Sequence, residues 1–226
     1  MRNAIKIDAT TFVTIDNAAC IGEKEADVVY VPNEIAAYFT ARTAILEQWC
    51  AGAMPIQLLL ANFTSDTAWE EYVKGCERVF REIGQKMPPI TGSSETNFAP
   101  LQSGLSLTMI GKQQFTPSKM QCRFFVIGKP LVGQQVIDQP ENVANLAEIY
   151  SLLSTGVIQQ VWPTGSKGIG AEIISFVGEN FTCEIDLTHS AGPSAAVLVA
   201  VQEQNIDKLY SKVSAPITEV APRNEM

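Results

Sequence analysis

Apolar residues recur with two different periods along this chain. Short β-branched segments with a period of two, such as Thr11–Ile15 and Val28–Val31, are typical of strands. Longer segments, in which apolar residues recur every three or four positions, begin after Pro32 and near Asp66 and are typical of helices. Strands and helices alternate from one end of the chain to the other. The pattern therefore predicts an α+β protein of the two-layer α/β type.

The first half of the chain predicts two helices. Asn33 is placed to cap the first one, and its apolar face consists of Ile35, Tyr38, Phe39, Ile45, Leu46 and Trp49. The second helix runs from about Asp66 to Ile83, with Gly84 where a C-terminal cap belongs. Strands are predicted within "MPIQLLLANF", in a short segment that ends at Thr91, and within "LQSGLSLTMIGK". The polar segment "GSSETNF" predicts a loop.

Turn-forming residues around Pro117 predict a boundary between two domains, residues 1–115 and 116–226. Beyond it, strands are predicted within "CRFFVIGKP", 157–162, "FTCEIDL", "AAVLVAV" and "APITEV". Helices are predicted at 140–154, 168–177 and 206–213. The last residues, "APRNEM", are predicted to fray.

The composition predicts a globular protein with an acidic surface. Of the 226 residues 46% are hydrophobic, the formal net charge is −8 and the pI is about 4.7. Because no basic field attracts phosphate backbones or anionic lipid, we expect neither nucleic acid nor membrane as a partner. The N-terminal "MRNAIKIDATTFVTID" lacks an uninterrupted apolar stretch, so we expect a cytoplasmic protein.

Cysteine and histidine are placed unfavourably for metal or nucleophilic chemistry. The five cysteines occur singly without a CxxC pair, and His189 is the sole histidine. This excludes the usual zinc spacings and most histidine-based catalysis. The cysteines are therefore expected to be reduced and apolar in a reducing cytoplasm. His189 is interpreted as a surface or capping residue.

Common nucleotide-binding motifs are absent from the sequence. No GxxxxGK[ST] occurs, which excludes a P-loop. The segment "GSKGIGAE", Gly165–Glu172, precedes a predicted helix, but its G-x-x-G-x-G order differs from the dinucleotide fingerprint. We favour a turn there over a phosphate cradle.

Two polar segments carry candidate chemistry. In the first, Gly22 is surrounded by Asp16, Glu23, Lys24, Glu25 and Asp27, a set that suits either a solvated hairpin or Mg²⁺ with a nucleotide. The second contains Gly92, Ser93, Ser94, Glu95, Thr96 and Asn97, whose hydroxyl, amide and carboxylate groups suit either a turn or a ligand contact.

Two charged residues lie on the first predicted helix. Arg42 falls within its apolar stripe, where a guanidinium needs either an acid partner or a ligand. Glu47 lies at the edge of that stripe and is either solvent-exposed or part of a site.

The order of these segments resembles the aminoimidazole ribonucleotide synthetase superfamily, here called PurM-like. The resemblance rests on an Asp-led glycine loop ending in Lys, then "VPNE", "AGAMPIQLLL", "ITGSSETNF", a strand closing in "IGK", "VIQQVWPTGSKGIGAE" and "CEIDLTHSAGPSAAVLVAV". It covers nearly the whole chain and implies a PurM-like N-terminal domain for ATP binding and dimerisation plus a shortened PurM-like C-terminal domain. The chain departs from it at Ala19-Cys20 and at Ser93, where glycines are expected.

Within this superfamily, "DNAACIGEKEADVVYVPNEIAAYFTAR" and "ITGSSETNF" look most like the short alpha-ribazole kinases. The resemblance implies a homodimer that uses Mg²⁺ and ATP to phosphorylate alpha-ribazole in cobalamin lower-ligand salvage. It also implies that the two acid-bearing segments face one another across one cleft. An ATP-dependent ligase or cyclase, or a non-catalytic nucleotide-binding dimerisation module, stays open as an alternative.

The resemblance also implies roles for individual residues. It gives catalytic roles to Asp16, Lys24 and Glu95. The nucleotide and acceptor contacts that it implies are Gly22, Lys24, Asp27, Arg42, Gly92, Ser93, Thr96 and Asn97. The implied Mg²⁺ ligands are Asp16, Asp27 and Glu47.

Overall fold

A computed structural model describes residues 2–223 and divides the chain into two compact units. The first unit ends at Thr116 and the second begins at Pro117. The predicted fraying segment lies partly outside the described residues, since 224–226 are not included. No helix in the described part of the chain is long and apolar enough to cross a membrane.

The first unit is built on a five-stranded sheet in the order β1-β2-β7-β5-β6. Its strands are β1 (Ile5–Lys6), β2 (Thr11–Ala19), β5 (Ala53–Asn62), β6 (Ile90–Ser94) and β7 (Gly104–Gln113). The β5–β6 pair is parallel and the other pairs are antiparallel. Two short strands, β3 (Ile21–Gly22) and β4 (Val29–Tyr30), form a separate parallel pair.

Helix α1 (Asn33–Cys50) contacts the sheet with one side and helix α2 (Trp69–Glu82) with another. Nearly all side chains of α1 from Ala36 onward are therefore buried, so the prediction that only one face of this helix is buried is wrong. Asn33 is not the cap either, since it is the first helical residue after Pro32. The predicted end of the second helix is confirmed, because Gly84 has a φ of +67° and its N–H donates to the Arg81 carbonyl.

The helices of the first unit do not cover the opposite face of this sheet. Ile15 pairs across β7 with Thr108, which in turn pairs with Leu59, and the side chains of Ile15 and Leu59 are 57% and 38% exposed. Ile5 pairs with Val13 one row away and is 61% exposed. A group of apolar side chains thus faces solvent, and exposed apolar patches are typical of surfaces that bind a partner.

The second unit contains an antiparallel sheet in the order β10-β12-β8-β11-β9. Its strands are β8 (Cys122–Ile127), β9 (Ile158–Pro163), β10 (Phe181–Thr182), β11 (Val197–Gln202) and β12 (Ile217–Pro222). Its helices are α3 (Gln135–Asp138), α4 (Leu146–Ser154), α5 (Gly168–Phe176) and α6 (Ile206–Lys212). Strands β8 and β11 are rich in Val, Phe and Ala; β8 is the central strand, and β11 beside it is buried from Val197 to Val201.

Two predictions for the second unit are wrong in extent. The helix predicted at 140–154 begins only at Leu146, because Asn145 caps it by accepting the N–H of Glu148, and the preceding residues form a short 3₁₀ turn. Of the predicted strand "FTCEIDL", only Phe181–Thr182 pairs with β12. Asp186 belongs to a turn, in which its carboxylate accepts the N–H groups of Thr188 and His189.

Ala19 and Cys20, which stand where the resemblance implies glycines, differ in backbone conformation. Cys20 has a φ of +62°, whereas Ala19 is an extended residue of β2 paired with Gly104. A left-handed conformation costs an L-residue about 1–2 kcal/mol, but Gly in a strand costs about 0.5–1 kcal/mol. We therefore expect Cys20→Gly to raise the free energy of unfolding by about 0.5–1 kcal/mol and Ala19→Gly to lower it by a similar amount.

Urea unfolding of the two variants and the wild type measures both changes. The two neighbouring substitutions introduce the same residue, so each is the control for the other. A Cys20→Gly protein less stable than Ala19→Gly would contradict the assignment of strain to Cys20.

Candidate active site

Asp16 lies within strand β2 rather than in the loop after it, because β2 extends to Ala19. Its side chain lies on the helix side of the sheet, near Thr43 and Glu47 of α1. Burial is the main cause that raises the pKa of this carboxyl, and the Glu47 charge adds to it, whereas hydrogen bonds from the Asn17 N–H and the Thr43 hydroxyl oppose it. The resulting pKa of Asp16 is about 7.

Glu47 is buried, at 1% exposure, so the solvent-exposed interpretation is wrong. Its carboxylate accepts hydrogen bonds from the Arg2 guanidinium and from the backbone and side-chain N–H groups of Asn3, at 3.2 and 3.1 Å. The N-terminal segment thus compensates the charge of an acid that would be costly to bury alone. Asp16 and Glu47 form an acidic pair, and the Arg2 guanidinium lies beside it.

The loop from Cys20 to Val28 is held against residues 100–103, which precede β7. The Lys24 ammonium donates to the Pro100 carbonyl, and the Gln102 amide donates to the Ala26 carbonyl at 2.7 Å. The Asp27 carboxylate accepts the N–H of Lys24 at 2.9 Å and the N–H of Ser103 at 2.7 Å. The structure therefore brings Lys24 and Asp27 together and places them in contact with the segment that follows Asn97.

The three acids predicted to bind Mg²⁺ do not form one cluster. The Asp27 carboxylate accepts the N–H of Ser103, whereas Asp16 is the strand partner of Leu107 in β7. Ser103 and Leu107 are four residues apart, which corresponds to about 13 Å along an extended strand. Within residues 2–223 no group of three or more His, Cys, Asp or Glu side chains is arranged to hold a metal ion. Of the three acids, Asp16 and Glu47 are neighbours. Two carboxylates are enough to bind Mg²⁺ when phosphate oxygens complete its coordination shell.

The segment predicted as a second loop begins as a strand. Gly92, Ser93 and Ser94 belong to β6 and pair with Leu60, Ala61 and Asn62 of β5. A Cβ atom at Gly92 would collide with the Leu60 carbonyl, so glycine permits the close approach of two strands. The loop prediction is wrong for these three residues.

Glu95 begins the true turn after β6. Its carboxylate accepts the N–H of Asn97 at 2.7 Å and that of Phe98 at 3.3 Å, while Thr96 and Asn97 are exposed. Since β6 is separated from β2 by β5 and β7, Glu95 lies about 14 Å from the strand that carries Asp16. The structure does not bring these two predicted catalytic acids together within the first unit.

Arg42 is buried between α1 and α2, at 1% exposure. Burial lowers the pKa of its guanidinium, and the neighbouring Tyr38 and Glu82 oppose that shift. The Tyr38 hydroxyl donates to Glu82 at 2.7 Å, so the three polar groups form a part-buried network. The sequence left open whether Arg42 pairs with an acid or contacts a ligand. These surroundings match an acid partner, and a ligand contact by Arg42 stays a prediction.

The sequence did not predict the polar contacts of three residues in this region. Arg2 contacts an acid 45 residues away, Ser103 donates its N–H to Asp27, and Asn33 donates to Glu23 and Glu71. No local pattern identifies such partners, since each contact joins separate elements.

Comparison of the structure with known structures identifies the fold. The hydrogenase maturation protein HypE superposes with a TM-score of 0.63 at 14% identity, covering 98% of this chain and 84% of HypE. Thiamine monophosphate kinase from Aquifex aeolicus gives 0.63 at 9% identity, covering 98% of this chain and 89% of the kinase. This chain has a PurM-like fold.

A third PurM-like structure, HypE in complex with ATP, gives a TM-score of 0.58 at 13% identity and covers 97% of this chain and 80% of that chain. No protein-family model and no curated protein sequence matches significantly. The predicted α+β fold is confirmed, and identities this low establish the PurM-like fold without the function.

Proposed function

We propose that the protein is a Mg²⁺- and ATP-dependent small-molecule kinase, which phosphorylates alpha-ribazole to alpha-ribazole 5'-phosphate in cytoplasmic salvage of the cobalamin lower ligand. The observation that carries this proposal is the contact between the Lys24 loop and residues 100–103, beside the Glu95 turn. This contact occurs in a fold shared with thiamine monophosphate kinase and with HypE in complex with ATP. The acceptor itself is proposed from the resemblance of "ITGSSETNF" and the glycine loop to alpha-ribazole kinases.

Asp16 and Glu47 are the residues that would hold Mg²⁺. Two neighbouring carboxylates favour an added cation, because the Glu47 charge adds to the burial that raises the pKa of Asp16. When bound, Mg²⁺ neutralises phosphate charge that develops during phosphoryl transfer. Asp16 must lose its proton to act as a ligand.

Lys24 is the proposed phosphate contact. Its ammonium donates to the Pro100 carbonyl, a neutral acceptor that a phosphate oxygen can replace with a stronger, charge-assisted bond. The Asp27 carboxylate fixes the backbone of the same loop through Lys24 and Ser103. We therefore assign Asp27 to positioning Lys24, with catalysis resting on orientation and electrostatics.

A second copy of the chain is the proposed occupant of the uncovered sheet face. The apolar rows around Ile15, Leu59 and Ile5 lie in the unit for which the resemblance implies dimerisation. Pairing two such faces removes apolar surface from water, which is the main favourable contribution to association.

Mass spectrometry of the purified protein with Mg²⁺, ATP and alpha-ribazole tests the proposed reaction. The expected products are alpha-ribazole 5'-phosphate and ADP in equal amounts. Release of the phosphate as inorganic ion, with a new bond in the acceptor, would instead indicate a ligase or cyclase.

A non-catalytic nucleotide-binding dimerisation module is the second candidate function. One observation favours it: Ala19-Cys20 and Ser93 stand where the resemblance implies glycines. ATP that binds without being consumed in the same assay would establish this alternative.

A further inference from the structure

The two residues Arg2 and Asn3 cover Glu47, one of the acids proposed to hold Mg²⁺. The Arg2 guanidinium and the Asn3 side-chain amide both donate to Oε1 of Glu47, and the Asn3 backbone N–H donates to Oε2 at 3.2 Å. At least three of the roughly four lone-pair sites of this carboxylate are thus occupied. Glu47 is only 1% exposed with these residues in place, so a hydrated ion reaches its oxygens only after they move away.

Arg2 lies where the structure favours a cation. Burial and the Glu47 charge raise the pKa of Asp16, and the Arg2 charge opposes that rise. Glu47 also belongs to the last turn of α1, where the helix dipole favours positive charge, and none of residues 47–50 is basic. Arg2 therefore supplies from another segment the positive charge that Mg²⁺ would also supply.

The segment that carries Arg2 continues into a very short edge strand. Strand β1 has two residues, both exposed, and pairs with β2 on one side. The Arg2 side chain is itself 17% exposed. Because edge segments with little buried apolar surface open at low free energy, residues 2–6 can leave Glu47 while α1 and the rest of the sheet stay folded.

We propose that Arg2 is an internal competitor of Mg²⁺ at the Asp16–Glu47 pair, and that residues 2 and 3 leave Glu47 when the ion binds. A guanidinium and a divalent ion at the same carboxylate repel each other, and the donors of residues 2 and 3 occupy the lone pairs that an ion needs. The inference rests on the proposed function, since it takes this pair as the Mg²⁺ site. It adds that binding of the ion moves the N-terminal segment.

Titration with Mn²⁺, followed by electron paramagnetic resonance without nucleotide, measures the competition. Arg2→Ala removes the competing cation, so we expect its Mn²⁺ affinity to exceed that of the wild type by about tenfold or more. Lys6→Ala is the matched control, because it removes an equal charge from an exposed residue of the same segment. Its Mn²⁺ affinity should equal that of the wild type, since charges further from the site are screened.

Hydrogen exchange of the wild type, resolved by nuclear magnetic resonance, measures the displacement itself. Mg²⁺ should speed exchange of the Asn3 amide, whose N–H then loses its bond to Glu47, while the amides of α1 stay protected. An effect of the Arg2 charge alone, without displacement, would leave this rate unchanged. The measurement needs no substitution, so it holds even if Arg2→Ala unfolds because Glu47 is left buried without its partner.

Three results would overturn the proposal: equal Mn²⁺ affinity in Arg2→Ala and the wild type, Mn²⁺ binding to neither, or Mg²⁺ binding with unchanged Asn3 exchange. Circular dichroism confirms that the variants fold. None of these measurements uses phosphorylation. Competition without a phosphorylated product would therefore contradict the kinase function alone, whereas product from a protein whose Mn²⁺ affinity is independent of Arg2 would contradict this inference alone.

Discussion

Asp16→Asn is expected to lower the rate of ATP-dependent phosphorylation of alpha-ribazole by about 100-fold or more while the fold is retained. The substitution removes the negative charge that would hold Mg²⁺ beside Glu47, but it keeps nearly the same volume and the Thr43 contact. The measurement is kcat at saturating ATP, followed as phosphorylated product. Asp207→Asn, an exposed acid of α6, is the control and should match the wild type.

The pH dependence of stability is a second readout of the same substitution. Because burial and the Glu47 charge raise the pKa of Asp16 from 3.8 to about 7, the folded state holds a proton that the unfolded state releases above about pH 4. Wild-type stability therefore contains a contribution that is present below pH 4 and is lost as the pH rises to about 7. Its size is on the order of a few kcal/mol.

Urea unfolding at pH 5 and pH 8 measures this contribution. The free energy of unfolding of Asp16→Asn should change less between these two pH values than that of the wild type or of Asp207→Asn. Full activity of Asp16→Asn would contradict its catalytic role, and an unchanged pH dependence would contradict the raised pKa.

Ile15→Asp is expected to convert the proposed dimer into a monomer. Ile15 is 57% exposed within one chain, so a carboxylate there leaves the core intact, but it would be buried without a partner between two sheets. Loss of a central interface residue costs 2 kcal/mol or more, which raises the dimer Kd by about 30-fold or more. Analytical ultracentrifugation over a range of protein concentrations gives this Kd.

Met120→Asp provides a matched control, because Met120 is 79% exposed and is not a residue of the sheet that carries Ile15. It should dimerise like the wild type. A monomeric wild type, or a dimer that Ile15→Asp leaves unchanged, would contradict the proposed interface.

The positions of most helices and strands were predictable from local sequence patterns. Strand β11, helix α6 and the Gly84 cap follow from local rules, because side-chain period and backbone preference act over a few residues. The family resemblance also predicted that the acid-bearing loop faces the "GSSETNF" segment. The hydrogen bonds of Lys24, Ala26 and Asp27 join residues 100–103, which follow that segment, so this arrangement stays a prediction.

Which of these side chains meet depends instead on how the elements pack. Asp16 is a strand residue because β7 pairs with β2 as far as Ala19, and Gly92 is a strand residue because β5 accepts it at close range. Glu47 is buried because Arg2, 45 residues away, compensates its charge. Periodicity shows which face of an element is apolar, but charge compensation and hydrogen bonding depend on partners that are distant in sequence, and these are fixed only when the elements pack.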